Sequence, residues 1–269
     1  MYYKKKNLAS ILITNYNKEK FLKKSIKSCL NQNFKNKEII IFDDCSNDKS
    51  LKILKKFSKI KLIKNKKKKY TSGPLNQIYG LLNAFEKSKG EIIFLLDSDD
   101  EFKFNKLSKV YKMFKADRNL KFIQDTPYLK SFKKVAKLKN KKSLFTIWPS
   151  FFPTSCIAIR KNFLNEFFKV SMKHDFSNLE IDARLSIFAF LKNEFKVTNE
   201  ILTYYNYDQI GITSRYKKFS ILWWKKRKEA FEYTRILTKK LKLNFYMGPD
   251  YFITQIINLF FNMFCKGYH

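Results

Sequence analysis

Short apolar runs that each end at a polar turn and then give way to an amphipathic helix leave this chain few ways to fold. Leu8 to Thr14 reads as a buried strand, and Asn17 stands where it could cap a helix with apolar positions at Phe21/Leu22, Ser25/Ile26 and Cys29/Leu30. Glu38 to Asp43 repeats the strand pattern, and Ser46 precedes a helix with Leu51, Leu54 and Phe57 on one side. A short strand near Ile60 to Ile63 leads through the lysine-rich loop of Lys64 to Lys69 into a helix with Leu75, Ile78, Tyr79, Leu82 and Phe85 inward, ended at Gly90. Glu91 to Leu96 is the next strand, and Leu107, Val110, Tyr111 and Phe114 mark another helix. Strands alternating with helices imply βαβ units, an α/β fold and a mostly parallel sheet.

Beyond about Asp125 the alternation loosens. There is a lysine-rich stretch from Lys133 to Lys142, a strand pattern at Ser155 to Arg160, a helix near Leu179 to Lys192 and an extended run at Ile201 to Tyr207. From Tyr216 onward the chain reads as a long basic amphipathic helix, and Tyr251 to Phe264 as a second helix. These changes divide the chain into residues 1–125, 126–215 and a basic helical extension at 216–269.

The charge balance, 56 Lys+Arg against 23 Asp+Glu and a formal net charge of +33, attracts anions of any kind: nucleic acid, acidic lipid or a nucleotide diphosphate. No nucleic-acid-binding motif is present, and that class leaves the carboxylates described next unexplained. The cysteines, Cys29, Cys45, Cys156 and Cys265, form no C-x-x-C pair, and His174 and His269 match no zinc spacing. Reduced thiols, the lack of a signal-type leader and the lack of an apolar run of about 20 residues together point to the cytoplasm, at most peripheral to the inner face of a membrane.

In an open parallel sheet ligands bind beyond the carboxyl ends of the strands. Here both ends are acidic: Asp43-Asp44 after one strand and Asp97-Ser98-Asp99-Asp100 after another. Like charges gathered in one crevice need solvent or a cation among them, and hard oxygen ligands suit Mg²⁺ or Mn²⁺. No glycine-rich phosphate loop follows any strand. A sugar nucleotidyltransferase would also pair acidic strand ends with a metal, but would want a glycine-rich N-terminal loop where "ILITNYNKEKF" has no glycine.

The segment "SILITNYNKEKFLKKSIKSCLNQNFKNKEIIIFDDCSND" followed by "GEIIFLLDSDDEF" resembles the family 2 glycosyltransferases, inverting GT-A enzymes that use nucleotide-diphospho-sugars. The resemblance implies that Thr14 and Tyr16 meet the nucleobase, that Asp44 accepts a hydrogen bond from it and so favours a UDP-sugar, and that Asp97, Ser98 and Asp99 lie along the ribose and diphosphate. It implies metal binding within the DxD position, taken here as Asp99 and Asp100, with Mn²⁺ or Mg²⁺ as cofactor. "SGPLNQ" stands where the family has a glycine-rich segment ending in Ala-Arg-Asn; Asn76 matches and its basic neighbour is absent. For the catalytic base the resemblance points to "NLEIDARLSIFAF", with Asp182 first and Glu180 second, ahead of His174-Asp175. It further implies a mobile loop at Tyr205 to Ser214, acceptor-side residues within Trp148 to Cys156, and a saccharide or lipid-linked acceptor in surface polysaccharide or glycolipid assembly. Lys225 to Lys228 beside Trp223-Trp224, with the apolar Tyr251 to Phe264, suit peripheral contact with an anionic membrane.

Overall fold

The computed structural model describes residues 7–138, 148–171, 175–207 and 216–264. Its first half is a parallel unit in the order β3-β2-β1-β4, formed by β1 (Ala9–Asn15), β2 (Lys37–Asp43), β3 (Lys61–Lys64) and β4 (Ile92–Asp97). These strands are apolar throughout because helices cover both faces. Leu12, Ile40 and Leu95 face α3 (Gly73–Glu86), whereas Ile11, Ile41 and Phe94 join the core beneath α1 (Glu19–Leu30) and α4 (Lys106–Ala116). The register sets Thr14 opposite both Phe42 and Asp97. The carboxyl ends of β1, β2 and β4 therefore finish level, on one edge.

Beyond β4 the pairing is mixed, not mostly parallel. The sheet continues through β8 (Ile157–Arg160), β6 (Phe122–Leu129), β9 (Phe195–Tyr205) and β5 (Glu101–Phe102), with β7 (Lys134–Val135) on β6. β8 is antiparallel to both β4 and β6, and β9 is parallel to β6. Around this half pack α5 (Lys161–Ser171), α6 (Ile181–Leu191), α7 (Ile221–Lys240) and α8 (Pro249–Phe264). A buried ion pair joins α4 to β6: Lys106 Nζ lies 2.5 Å from Asp125, with side-chain exposures of 0% and 1%. The same ammonium donates to the Ser155 carbonyl and to Thr203 Oγ1, each at 2.7 Å.

Several local expectations change. Asn17 does not cap α1: it has φ 51°, and its side-chain oxygen accepts from Asn47 N, while Lys18 takes the N-cap position. Ser46 does not cap α2 (Ser50–Leu54) but donates to Asp43 and accepts from Asn17 N, and Asp48 accepts from Ser50 N instead. No glycine described has positive φ, and α3 ends at Glu86 and not at Gly90. A Cβ there would fall 2.6 Å from Ser10 N and 2.9 Å from Ala9 C, so the residue is glycine because β1 passes against it. His174, Cys265, His269, residues 208–214 of the mobile-loop expectation and residues 139–142 of the lysine-rich stretch lie outside the described residues.

Candidate active site

The level strand ends open into a cleft of about 780 Å³. Thr14, Tyr16, Asp44, Asn76, Asp97, Ser98 and Asp99 line it from the first half of the chain, and Glu180, Asp182, Pro153, Thr154 and Tyr205 from the second.

At one end Tyr16 is 43% exposed, with Lys68 Nζ 3.3 Å from its ring centroid. The lysine-rich loop of Lys64 to Lys69 thus places an ammonium on this aromatic face. Asp43 and Asp44 part ways. Asp43 closes the turn after β2 by accepting from Asn15 Nδ2 (2.7 Å), Ser46 N (3.1 Å) and Ser46 Oγ (2.7 Å). Asp44 lines the cleft, with Asn65 Nδ2 donating to it at 2.8 Å. Asn76 lines the wall, but its amide is taken up by the Tyr70 backbone, accepting from Tyr70 N at 3.0 Å and donating to Tyr70 O at 2.8 Å. Gln77, one residue on, reaches inward and donates to Asp97 Oδ1 at 2.8 Å.

At the centre the acidic turn divides. Asp97 and Asp99 face the cleft; Lys18 Nζ sits 2.6 Å from Asp99 Oδ2. Asp100 is fully buried and does not line the cleft: it accepts from Ser155 Oγ at 2.5 Å and from Asn206 N at 2.8 Å. Each of its oxygens already holds a protein donor. Asp100 is therefore corrected from expected metal ligand to anchor of the turn, which Ser155 Oγ also holds by accepting from Asp97 N at 3.0 Å. Burial first, then the charges of Asp99 and Asp182, push the Asp97 carboxyl up to about 7. Burial and the carboxylates around it also push the Tyr205 hydroxyl upward.

On the far side Glu180 is the N-cap residue of α6 and Asp182 lies in its first turn. The pair belongs to the cleft. Glu180 is only 5% exposed and ion-paired with Lys226 from α7. Burial, then the charge of Glu180, push Asp182 up to about 7, opposed by Lys226. Asp182 in turn raises Asp97, and both residues line the same cleft. Asp175 is exposed and outside the lining. Cys156 is buried, its thiol pushed well above its usual value, which leaves it inert as a nucleophile. The sequence assigned no site role to Lys18 or to Gln77, which adjoins a matched motif position, while Lys68, Ser155, Asn206 and Lys226 fell within segments read as a lysine-rich loop, an acceptor side, a mobile loop and a membrane-facing basic run.

The donor set fits a divalent cation of the Mg²⁺ type. Among the described residues no three His, Cys, Asp or Glu side chains form a metal-holding group. What exists is a crowded carboxylate pair, Asp97 and Asp99, beside open cleft volume. Mg²⁺ is commonly held by one or two carboxylates with water and substrate phosphates completing the shell.

The model of the family "Glycosyl transferase family 2" matches residues 10–170. An uncharacterized glycosyltransferase of Haemophilus influenzae is 39% identical over 104 residues, covering 38% of this chain and 40% of that protein. The Escherichia coli UDP-Glc:alpha-D-GlcNAc-diphosphoundecaprenol beta-1,3-glucosyltransferase WfaP is 39% identical over 103 residues, covering 38% of this chain and 39% of that protein. These alignments thus span about two fifths of the relatives' own lengths. Among solved structures, S. aureus TarS 1-349 in complex with UDP-GlcNAc superposes with a TM-score of 0.61 at 18% identity, over 94% of this chain and 71% of that one. The mannosyltransferase PcManGT of Pyrobaculum calidifontis, in complex with GDP-Man and Mn²⁺, gives 0.59 at 11% identity, over 93% and 68%. At these identities the structures establish the shared GT-A fold.

Proposed function

The chain belongs to glycosyl transferase family 2, and from that premise we propose that it moves a sugar from a UDP-sugar to an acceptor hydroxyl with inversion at the anomeric carbon. One observation carries this reading: Asp97 and Asp99 line a single cleft together with Asp182 and Glu180, and the same cleft holds an exposed Tyr16 and the acceptor group of Asp44. Tyr16 offers a stacking face for the base, and the Asp44 carboxylate takes the N3–H that uracil has and cytosine lacks. Asp97 and Asp99 would hold Mn²⁺ or Mg²⁺, which supplies positive charge against the leaving diphosphate. Gln77 and Lys18 orient these two carboxylates, and the buried Asp100 fixes the turn that bears them.

Asp182 serves as base. The acceptor oxygen forms its bond to the anomeric carbon as the bond to the diphosphate oxygen breaks, the electron pair leaves with UDP, and the hydroxyl proton passes to Asp182. A carboxyl held near 7 is a stronger base than an ordinary one yet still ionised in useful amount at neutral pH. The acceptor is read as a saccharide or lipid-linked sugar in polysaccharide or glycolipid assembly; the named relative from Escherichia coli acts on a diphosphoundecaprenol-linked acceptor. Such an acceptor brings the protein to a membrane surface, with α7 and α8 as the elements suited to meet it.

Thermal unfolding across a nucleotide panel tests the donor assignment. UDP with Mn²⁺ should raise Tm, whereas CDP, GDP or NAD should do little, and Asp44→Ala and Asp99→Ala should each abolish the shift. Equal shifts from all nucleotides would defeat it.

A further inference from the structure

α8 is amphipathic in the opposite sense from an ordinary surface helix. Its buried positions are Asp250, Thr254 and Asn258, a polar stripe at i, i+4 and i+8. These pack on α7: Asp250 is ion-paired with Arg227, and Asn258 Nδ2 donates to the Trp224 carbonyl at 3.0 Å. The two pairings run in opposite chain directions, so α8 lies antiparallel to α7. Tyr251 packs its ring on Phe231 of α7, but most of the apolar side chains point away, with Ile256 66%, Leu259 60%, Phe260 55%, Met263 59% and Phe264 68% exposed. A water-facing helix normally puts such residues inward, and a contiguous exposed apolar face marks a surface that something covers.

We propose that the outward face of α8 docks flat on an anionic lipid bilayer. The patch extends past both helix ends. Tyr246 and Met247 precede α8, 66% and 53% exposed. At the other end the antiparallel arrangement brings its last turn beside the start of α7, where Phe219 and Leu222 are 62% and 42% exposed. Charge sits at both edges. Lys217 and Lys218 are exposed beside Phe219, and Lys242 is exposed before Tyr246. The one acidic residue of α8, Asp250, is buried against Arg227 and presents no charge to the face. An apolar strip rich in Phe and Met with lysines along its edges complements acyl chains beneath anionic headgroups. Sixteen residues make a helix of about 24 Å, short of the ~30 Å hydrocarbon core, so it lies in the interface and does not cross. Among the described residues no helix is long and apolar enough to span a membrane. A second copy is the poorer occupant, because two chains of formal charge +33 repel one another.

The inference deepens the reading of a lipid-linked acceptor by naming the surface that meets the lipid. It also ties that surface to the cleft: α7, on which α8 lies, contributes Lys226 to the Glu180 ion pair. Its test reads binding without turnover, so it stands or falls separately from the transfer reaction. The full chain is floated with vesicles of phosphatidylcholine alone and of phosphatidylcholine with phosphatidylglycerol, at low and high salt. Binding should require phosphatidylglycerol and weaken with salt. The double variant Ile256→Ser/Phe260→Ser, at exposed positions, should lower the partition coefficient about a hundredfold while keeping the wild-type Tm and UDP shift. Lys217→Glu/Lys218→Glu should weaken binding to the phosphatidylglycerol vesicles at least about tenfold, each lysine near an anionic surface being worth about 1 kcal/mol. Three results would overturn the proposal: no binding to either vesicle, unchanged binding by the serine variant, or a concentration-dependent dimer in sedimentation that the serine variant abolishes. Loss of the UDP shift with vesicle binding intact would strike the donor assignment alone.

Discussion

Lys106 offers the sharpest test of how the acidic turn is held. Its ammonium is fully buried, with Asp125 at 2.5 Å and the Ser155 carbonyl and Thr203 Oγ1 at 2.7 Å, so Lys106→Met would strip three acceptors of their donor at once. The main cost is the carboxylate left behind. Burial already pushes Asp125 above its usual value, opposed chiefly by Lys106. Removing one partner of such a pair costs about 3–5 kcal/mol, which at about 2–4 °C per kcal/mol for a chain of this size lowers Tm by about 6–20 °C. Without Lys106 the Asp125 carboxyl should take up a proton in the folded state. Its folded pKa then exceeds the unfolded value further, and the deficit grows as pH rises above about 4. Replacing both partners, Lys106→Met with Asp125→Leu, should recover most of the loss, because no uncompensated charge remains. The assay is denaturation followed by circular dichroism for the wild type, each single variant and the double, at acid and neutral pH. A single variant within about 1 kcal/mol of wild type, the worth of an exposed pair, would refute the reasoning. So would a double variant no better than the singles.

Asp182→Asn should leave UDP and metal binding intact and lower turnover by about 10²–10⁴, with Glu180→Gln doing much less. In the wild type kcat/KM should rise with pH to a plateau above about 7, as Asp182 loses its proton; a profile flat from pH 5 to 8 would remove it as the base. Stability of the metal-free protein has the opposite dependence. Asp97 and Asp182 bind protons more tightly folded than unfolded, so their contribution to stability is present below the ordinary aspartate pKa and is lost as pH rises toward about 7. Chemical denaturation in EDTA should show that decline, and Asp97→Asn/Asp182→Asn should flatten it.

How much of this was readable beforehand follows from where the information lies in the chain. β1, β2 and β4 were legible because parallel strands covered on both faces are unbroken apolar runs, each ended by polar residues, which for β2 and β4 are the carboxylates Asp43 and Asp97. β6 was not. It carries Gln124 and Asp125, buried at 0% and 1%, and its register is fixed by β9, far along the chain, where Phe122 pairs Phe195. Asp97, Asp99 and Asp100 are chemically identical in the sequence; only the position of Ser155 and of the Asn206 amide makes one an anchor and leaves two in the cleft. The period of α8 was plain, yet its packed side was not, since the stripe that meets α7 is the polar one.

The segment at 216–269 read as an extension, and its two helices call for different treatment. α7 buries Phe231, Tyr233 and Leu237 at 1%, 2% and 0% exposure. It also grips the strand of chain that leads into the candidate base: Glu229 accepts from Asn178 N and Asn178 Nδ2, each at 2.7 Å, Lys226 pairs with Glu180, and the Tyr233 hydroxyl donates to the Arg184 carbonyl at 3.2 Å. Burial of side chains this large contributes about 1.5–3 kcal/mol each, so a chain ending at residue 215 would lose an amount comparable to the whole stability of a domain. It should be recovered only as insoluble or unfolded material. A chain ending at residue 247 loses the polar α7 contact and the outward apolar face, but keeps every α7 bond to the loop before α6. It should fold, show the UDP shift and fail to bind anionic vesicles. The comparison separates the alternatives: equal folding of both truncations would mean that α7 is an appendage after all, and failure of both would mean that α8 is part of the core.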